Sequence, residues 1–322
     1  MRFAVVGAGA IGAYVGAALA RGGADVTLIA RGPHLRAMQE HGVRVQSPRG
    51  DFDVHPPATD DFDAIGDADV IFLALKAHSL PGVADRIGAA LAPGAAIIAA
   101  QNGVPWWYFE PELRLESVDP AGRIAAAIDV ERVIGCVIYC STEIVEPGVI
   151  RHIEGRRFAL GEPDGERSER CARISEAFRA GGLRAPVETD LREQIWLKLI
   201  GNVAFNEASA LTGATLGELG SRPEMVAALR TVLEECAQVA EALGVTLPVT
   251  VERRLEAGFA VGDHKTSMLQ DLEAGRRLEI GCLSGAVVEL ADRLELPVPT
   301  TRALHACTVL LDELRDRARS SA

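Results

Sequence analysis

Three polar residues on an otherwise apolar helix give the first chemical signal in this chain of 322 residues. The sequence between Leu191 and Ala210 reads as a helix, clothed in apolar groups such as Ile195, Trp196, Leu199, Val203 and Phe205. Lys198, Asn202 and Asn206 recur there at i, i+4 and i+8, so they share one stripe. A helix apolar nearly all round is buried, and an ammonium on it needs either a paired carboxylate or a cleft. In a cleft, Lys198 can donate a hydrogen bond to an oxygen on which negative charge develops and then pass its proton on. Paired with a carboxylate, it is structural.

A second signal stands at the N-terminus, where the apolar run Arg2–Val6 leads into Gly7-Ala8-Gly9-Ala10-Ile11-Gly12 and then a small, apolar helix to Arg21. This is strand, glycine turn, helix with the spacing G-x-G-x-x-G. Gly7 makes the tight turn, Gly9 lets amides approach a pyrophosphate, and Gly12 lets the helix pack on the strand. The phosphates then meet the unpaired amides and dipole of the helix N-terminus. A second strand, Asp25–Ala30, follows. An NAD enzyme usually carries an acidic residue at its end for the ribose 2′-hydroxyl, whereas this chain has Arg31. A guanidinium there suits a 2′-phosphate, which favours NADP(H); otherwise Arg31 caps a strand end in solvent. Two further buried strands, Asp69–Leu75 and Ala95–Ala100, run into Lys76 and into Gln101-Asn102-Gly103. Ligands of an open parallel sheet bind at such carboxyl ends, which adds Lys76 and Asn102 to the candidates.

The elements that hold these residues fall into two groups. Strand signals continue through Val43–Val45, Phe52–Val54, Val133–Ile144, Gly148–Ile153, Arg157–Leu160 and Leu183–Val187, with helices over 33–41, 81–91 and 168–180. Beyond Glu188 only helical patterns follow. The expectation is an α/β protein: an N-terminal Rossmann-type dinucleotide-binding domain over 1–188 and a second, all-helical domain over 189–322, with the site in the cleft between them. Trp106-Trp107-Tyr108-Phe109 reads either as a loop packed on the first domain or as a lid over the nicotinamide. The net charge of −12 leaves no basic footprint for nucleic acid or an anionic membrane. The N-terminus opens on a strand, not a signal peptide, and no apolar stretch is long enough to span a bilayer, so the expected location is the cytoplasm. Six cysteines lack C-x-x-C pairs, and no metal site is expected.

Taken together, these residues resemble those of the ketopantoate reductases (2-dehydropantoate 2-reductases), which reduce a 2-keto acid with NADPH on the way to pantothenate. The resemblance spans nearly the whole chain. It rests on Gly7–Gly12, Arg31, Lys76, Gln101-Asn102-Gly103, Trp196-Leu197-Lys198-Leu199 with Asn202 and Asn206, Thr266-Ser267-Met268-Leu269-Gln270-Asp271, and Glu279-Ile280. It implies that Lys198 is the general acid and that Glu279 supports it; from spacing alone, Glu279 could also be a solvated helix carboxylate. It implies substrate contacts at Asn102, Lys198, Asn202, Asn206 and Ser267, and cofactor contacts at Gly7–Gly12, Arg31, Lys76 and Asn102. Ser267 has a second account, since Ser267-x-x-Gln270 is a capping-box pattern.

Three stretches depart from the family's pattern. Glu-Ile-Asp followed by Asn-Gly becomes Glu279-Ile280-Gly281-Cys282-Leu283-Ser284-Gly285, an Asn-Pro pair becomes Asn206-Glu207, and a polar substrate contact becomes Leu216. The expected activity is NADPH-dependent reduction of a 2-keto acid, with ketopantoate as substrate. Gly281 and Leu216 keep open a D-2-hydroxyacid dehydrogenase acting on a more apolar 2-keto acid, unless Ser284 or Asn206 supplies the lost polar group. A non-catalytic NADP(H) sensor is the third alternative, and it has no need of Lys198 and Glu279. A homodimer is left open.

Overall fold

The computed structural model describes residues 1–109 and 113–320. The chain divides into two compact units. Unit 1 comprises Met1–Gln101, Pro105–Arg114 and Ala121–Leu191; unit 2 comprises Asn102–Val104, Leu115–Pro120 and Arg192–Ala322.

Unit 1 is built on one sheet of β1 (Arg2–Val6), β2 (Asp25–Ile29), β3 (Val43–Gln46), β4 (Phe52–Val54), β5 (Ala58–Thr59), β6 (Val70–Leu73), β7 (Ala96–Ala99), β8 (Val133–Glu146) and β9 (Val149–Gly161). Their order is β4-β3-β9-β8-β7-β6-β1-β2-β5. From β5 to β8 all neighbours are parallel, β8 and β9 form an antiparallel pair, and β3 joins β9 in parallel. The strands β6 and β7 are buried at every position, which is why they read as unbroken apolar runs. The helix Ala10–Arg21 lies close on this sheet because its inner face is small: the Leu28 side chain occupies the place where a Cβ on Gly16 would be.

Two strand expectations change. Residues 149–161 form one strand rather than two; its ladder with β8 slips register at three places, one of them beside Gly155 (φ +72°). Residues 183–187 make only isolated bridges, Arg184 to Arg157 and Val187 to Leu160, because Pro186 has no N–H to extend a ladder. Trp106, Trp107 and Tyr108 are buried within unit 1, with the Trp107 ring against Gly135 of β8. That is the packed-loop alternative.

Unit 2 is helical. Leu191–Gly201 runs into a π turn at Asn202–Asn206 and on through Glu207–Thr212, followed by helices at Leu216–Gly220, Pro223–Ala242, Val251–Phe259 and Ser267–Glu273. A second π turn at Gly281–Gly285 leads into Ala286–Arg293, and Pro299–Ser320 completes the unit. The start of that last helix is fixed by Glu235, whose carboxylate accepts from the amides of Thr300 (3.0 Å) and Thr301 (2.7 Å). Among the described residues, no helix is long and apolar enough to cross a membrane.

Candidate active site

In unit 1, Gly7 takes φ +93°, and the amides of Gly7 and Ala8 donate to the Ile29 carbonyl at 3.1 and 2.9 Å. Gly9 stands at the N-cap without a side-chain hydrogen bond, and nothing lies within 4 Å of where its Cβ would be. Gly12 backs onto the Gly7 carbonyl oxygen and would bring a Cβ to 3.1 Å from that of Ala74. The turn therefore offers a helix N-terminus to open space, the surroundings that the phosphates of a dinucleotide need, and Ala8, Ala10 and Ile11 add no bulky polar group to obstruct it. Arg31 is exposed at the N-cap position of Gly32–His41, just beyond β2. Lys76 is partly buried beyond β6. The Gln101 amide nitrogen donates to the carbonyl oxygens of Leu73 (2.9 Å) and Leu75 (3.4 Å), which ties the exit of β7 to that of β6.

In unit 2, Lys198 donates from Nζ to Asn102 Oδ1 at 2.8 Å. Asn102 reaches it because the next residue, Gly103, takes φ +82° and presses its Cα against the Cys282 carbonyl oxygen. The Val104 amide donates to the same oxygen at 2.8 Å. Residues 102–104 are thereby strapped to the π turn that begins two residues after Glu279, itself buried at 7% exposure. Asn102, Lys198 and the turn that follows Glu279 thus come together within one unit.

The stripe expected of an uninterrupted α-helix is altered. The π turn at Asn202–Asn206 inserts a wider turn into the ladder, so Asn206 is buried while Asn202 and Lys198 stay partly open. Such turns inside helices are rare and recur at functional sites. Ser267 is not a cap. Thr266 takes that role, its hydroxyl accepting from the Leu269 amide, while Gln270 turns back to the Lys265 carbonyl. Ser267 lies exposed at the start of this helix, which packs against the Asn202–Asn206 turn.

Gly281 leaves no void where the family's pattern has an aspartate. A Cβ there would collide with the Ser117 carbonyl oxygen, and Ser117 is pinned by Glu289, whose carboxylate accepts from its amide (2.9 Å) and hydroxyl (2.8 Å). Leu216 is buried at the start of Leu216–Gly220, capped by Thr215 and Glu218. Sequence patterning includes Gln101 and Gly103 in a motif without giving them a role, and it passes over Ser117 and Glu289. For Gly103 the Asn-Gly pair was a usable sign of positive φ; Ser117 and Glu289 lie too far apart in sequence to announce each other.

The family model described as ketopantoate reductase PanE/ApbA matches residues 3–165, and its C-terminal companion matches 190–311. The 2-dehydropantoate 2-reductase of Mesorhizobium japonicum is 45% identical over 95% of this chain and 96% of its own. The chain belongs to the ketopantoate reductase family. Ketopantoate reductases are oxidoreductases acting on a CH–OH group, and their fold recurs in crystal structures. One of these, a PanE/ApbA family ketopantoate reductase from Ralstonia eutropha JMP134, has a TM-score of 0.87 at 32% identity, covering 98% of this chain and 100% of its own. D-mandelate dehydrogenase with NADH and anilino(oxo)acetate has a TM-score of 0.85 at 20% identity over 98% of this chain and 100% of its own, a likeness of fold.

Proposed function

We propose that this ketopantoate reductase family member reduces 2-dehydropantoate to pantoate with NADPH. The observation that carries the proposal is the Lys198–Asn102 contact of 2.8 Å on a unit that also buries Glu279. A nicotinamide dinucleotide, when bound, supplies the hydride. Its phosphates suit the Gly7–Gly12 turn, and Arg31, Lys76 and Asn102 are its further contacts. As the ketone carbon is reduced, charge grows on its oxygen. Lys198 donates an N–H to that oxygen and gives up the proton, so that an alcohol and not an alkoxide leaves. Asn102 holds one ammonium hydrogen and so aims the others, while Glu279 favours the charged amine. Asn202, Asn206 and Ser267 supply donors to the substrate's carboxylate and hydroxyl.

The test is a panel of 2-keto acids followed by loss of NADPH absorbance. A site built to hydrogen-bond the terminal hydroxyl of ketopantoate should prefer it to 2-ketoisovalerate by about a hundredfold in kcat/KM, roughly 2.7 kcal/mol. Ser117 filling the space beside Gly281 favours this outcome over a widened apolar pocket. Equal use of the two substrates would instead support the D-2-hydroxyacid dehydrogenase alternative.

Cofactor choice is tested separately. Wild type should prefer NADPH to NADH, and Arg31→Ala should remove most of that preference. Loss of one charge-assisted contact costs about 1.5 to 3 kcal/mol, on the order of tenfold to a hundredfold in the NADPH:NADH ratio of kcat/KM. Equal use of both cofactors by wild type would show that Arg31 meets no 2′-phosphate.

A further inference from the structure

Immediately after Asn206, Glu207 is fully buried, although it is charged in water at neutral pH. One of its carboxyl oxygens, Oε1, has no hydrogen-bond partner. Thr308 Oγ1 lies 3.3 Å from the other, Oε2, and Ser284 hydrogen-bonds toward the carboxyl with its hydroxyl and its amide. The Ser284 hydroxyl is in turn 2.7 Å from His305 Nδ1. Glu207 thereby joins three elements: the π turn ending at Asn206, the π turn Gly281–Gly285 that holds Ser284, and the helix Pro299–Ser320 that holds His305 and Thr308. An ionised carboxylate with a bare oxygen in such a place is costly, whereas a neutral carboxyl can donate to Ser284, which then donates to His305.

Among the described residues, no cation is felt by the Glu207 carboxyl, and Arg302, near His305, is paired with Asp292. Cys236, on Pro223–Ala242, has its thiol pushed well up by burial and is close enough to Glu207 to feel its charge. Glu235 is committed to the amides of Thr300 and Thr301, Asp271 to Arg276, Asp312 to the Leu278 amide, and Glu218 to Thr215. Burial pushes the Glu207 carboxyl up to about 7, against the pull of its hydroxyl and amide donors. Burial, with Arg302 nearby, holds the His305 imidazole below its usual value. Both directions favour a neutral pair sharing one proton through Ser284.

We propose that Glu207 is a positioning residue: protonated, it latches the two π turns and the last helix through Ser284 and His305, and losing that proton loosens the turn that carries Asn202 and Asn206. This rests on the assignment of those asparagines to the keto acid made above. No atom is exchanged beyond the one proton, which leaves by way of Ser284 and the part-exposed His305.

The sign of the pH effect is fixed. A carboxyl raised in the folded state binds more protons folded than unfolded between its ordinary value and about 7, so its contribution to stability falls as pH rises through that window and is level above it. His305 acts on the acid side, below its ordinary value, so a comparison of variants at each pH isolates Glu207. The experiment compares wild type, Glu207→Gln and Ser284→Ala from pH 5 to 8.5, by thermal unfolding without ligands and by kcat and KM for ketopantoate. Relative to Glu207→Gln, wild type should lose Tm progressively from pH 5 to about 7.5, and its KM should climb about fivefold or more while kcat changes less. Glu207→Gln should show a flat KM. Ser284→Ala, which keeps the carboxyl and cuts its path to His305, should keep the sloping Tm and have a raised KM throughout. Parallel Tm curves for wild type and Glu207→Gln overturn the titration. Divergent Tm curves with superimposable KM profiles overturn the positioning role. If none of the three proteins turns over ketopantoate, the substrate assignment fails and the latch is judged on the unfolding curves alone.

Discussion

Lys198→Ala is expected to lower kcat by about 10² to 10⁴-fold while NADPH affinity, followed by nucleotide fluorescence, is nearly unchanged. The size follows from what the ammonium does. In the proposed mechanism it neutralises charge that appears on the ketone oxygen only as the carbon is reduced, so its loss falls on the transition state and not on the bound ground state. The split between constants follows from where it sits, on the helix Leu191–Gly201 of unit 2, whereas the glycine turn belongs to unit 1. Lys198→Arg separates charge from proton: a guanidinium still donates hydrogen bonds but holds its protons at any working pH, so it should recover only part of the rate. Near-normal turnover by Lys198→Ala would move the proton donor elsewhere and leave Lys198 as a tether for Asn102.

Gly103→Ala should be the most damaging single methyl group in unit 2. The residue sits at φ +82° with its Cα against the Cys282 carbonyl oxygen. A side chain there adds left-handed strain of about 1 to 3 kcal/mol and must also push the backbone of the π turn away. Asn102 is the neighbouring residue, so the displacement passes directly to the amide that holds Lys198. A shift of about 1 Å in a positioning group can cost on the order of a hundredfold, and kcat should fall by about that factor with a lowered Tm and an unaltered NADPH affinity. Gly213→Ala, at φ +74° with nothing within 4 Å of its Cβ, controls for backbone strain alone. If both variants lose the same activity, the clash with Cys282 is irrelevant.

What could be read in advance was what is local. Gly7, Gly9 and Gly12 lie within one turn, so their spacing alone carries their geometry. The strands β6 and β7 show their burial in their own composition. The π turn at Asn202–Asn206 was hidden because the apolar pattern runs through it unbroken, and only the backbone ladder records the extra residue. The cap at Thr266 was misplaced by one because threonine and serine stand side by side and carry the same hydroxyl signal. The contacts that build the site were invisible for a different reason: Gly103 with Cys282, Ser117 with Gly281, and Glu207 with Ser284 each join residues brought together by tertiary packing. Two of the departures from the family's pattern, Glu207 and Ser284, turn out to meet each other, a fact no position-by-position comparison contains.

The strap formed by residues 102–104 also has a history in time. It leaves the ribosome directly behind β7, yet the carbonyl that anchors it, on Cys282, follows about 180 residues later. At about 5 to 20 residues added per second, the wait is on the order of 10 to 40 s. Throughout that interval β7 can already pair with β6 and then with β8, while nothing yet fixes Gly103 in its left-handed conformation. Chains halted short of Cys282 should therefore be cut by a protease at 102–104 and lose that sensitivity once synthesis passes the second π turn. The segment that aims the ammonium would be made early and set late.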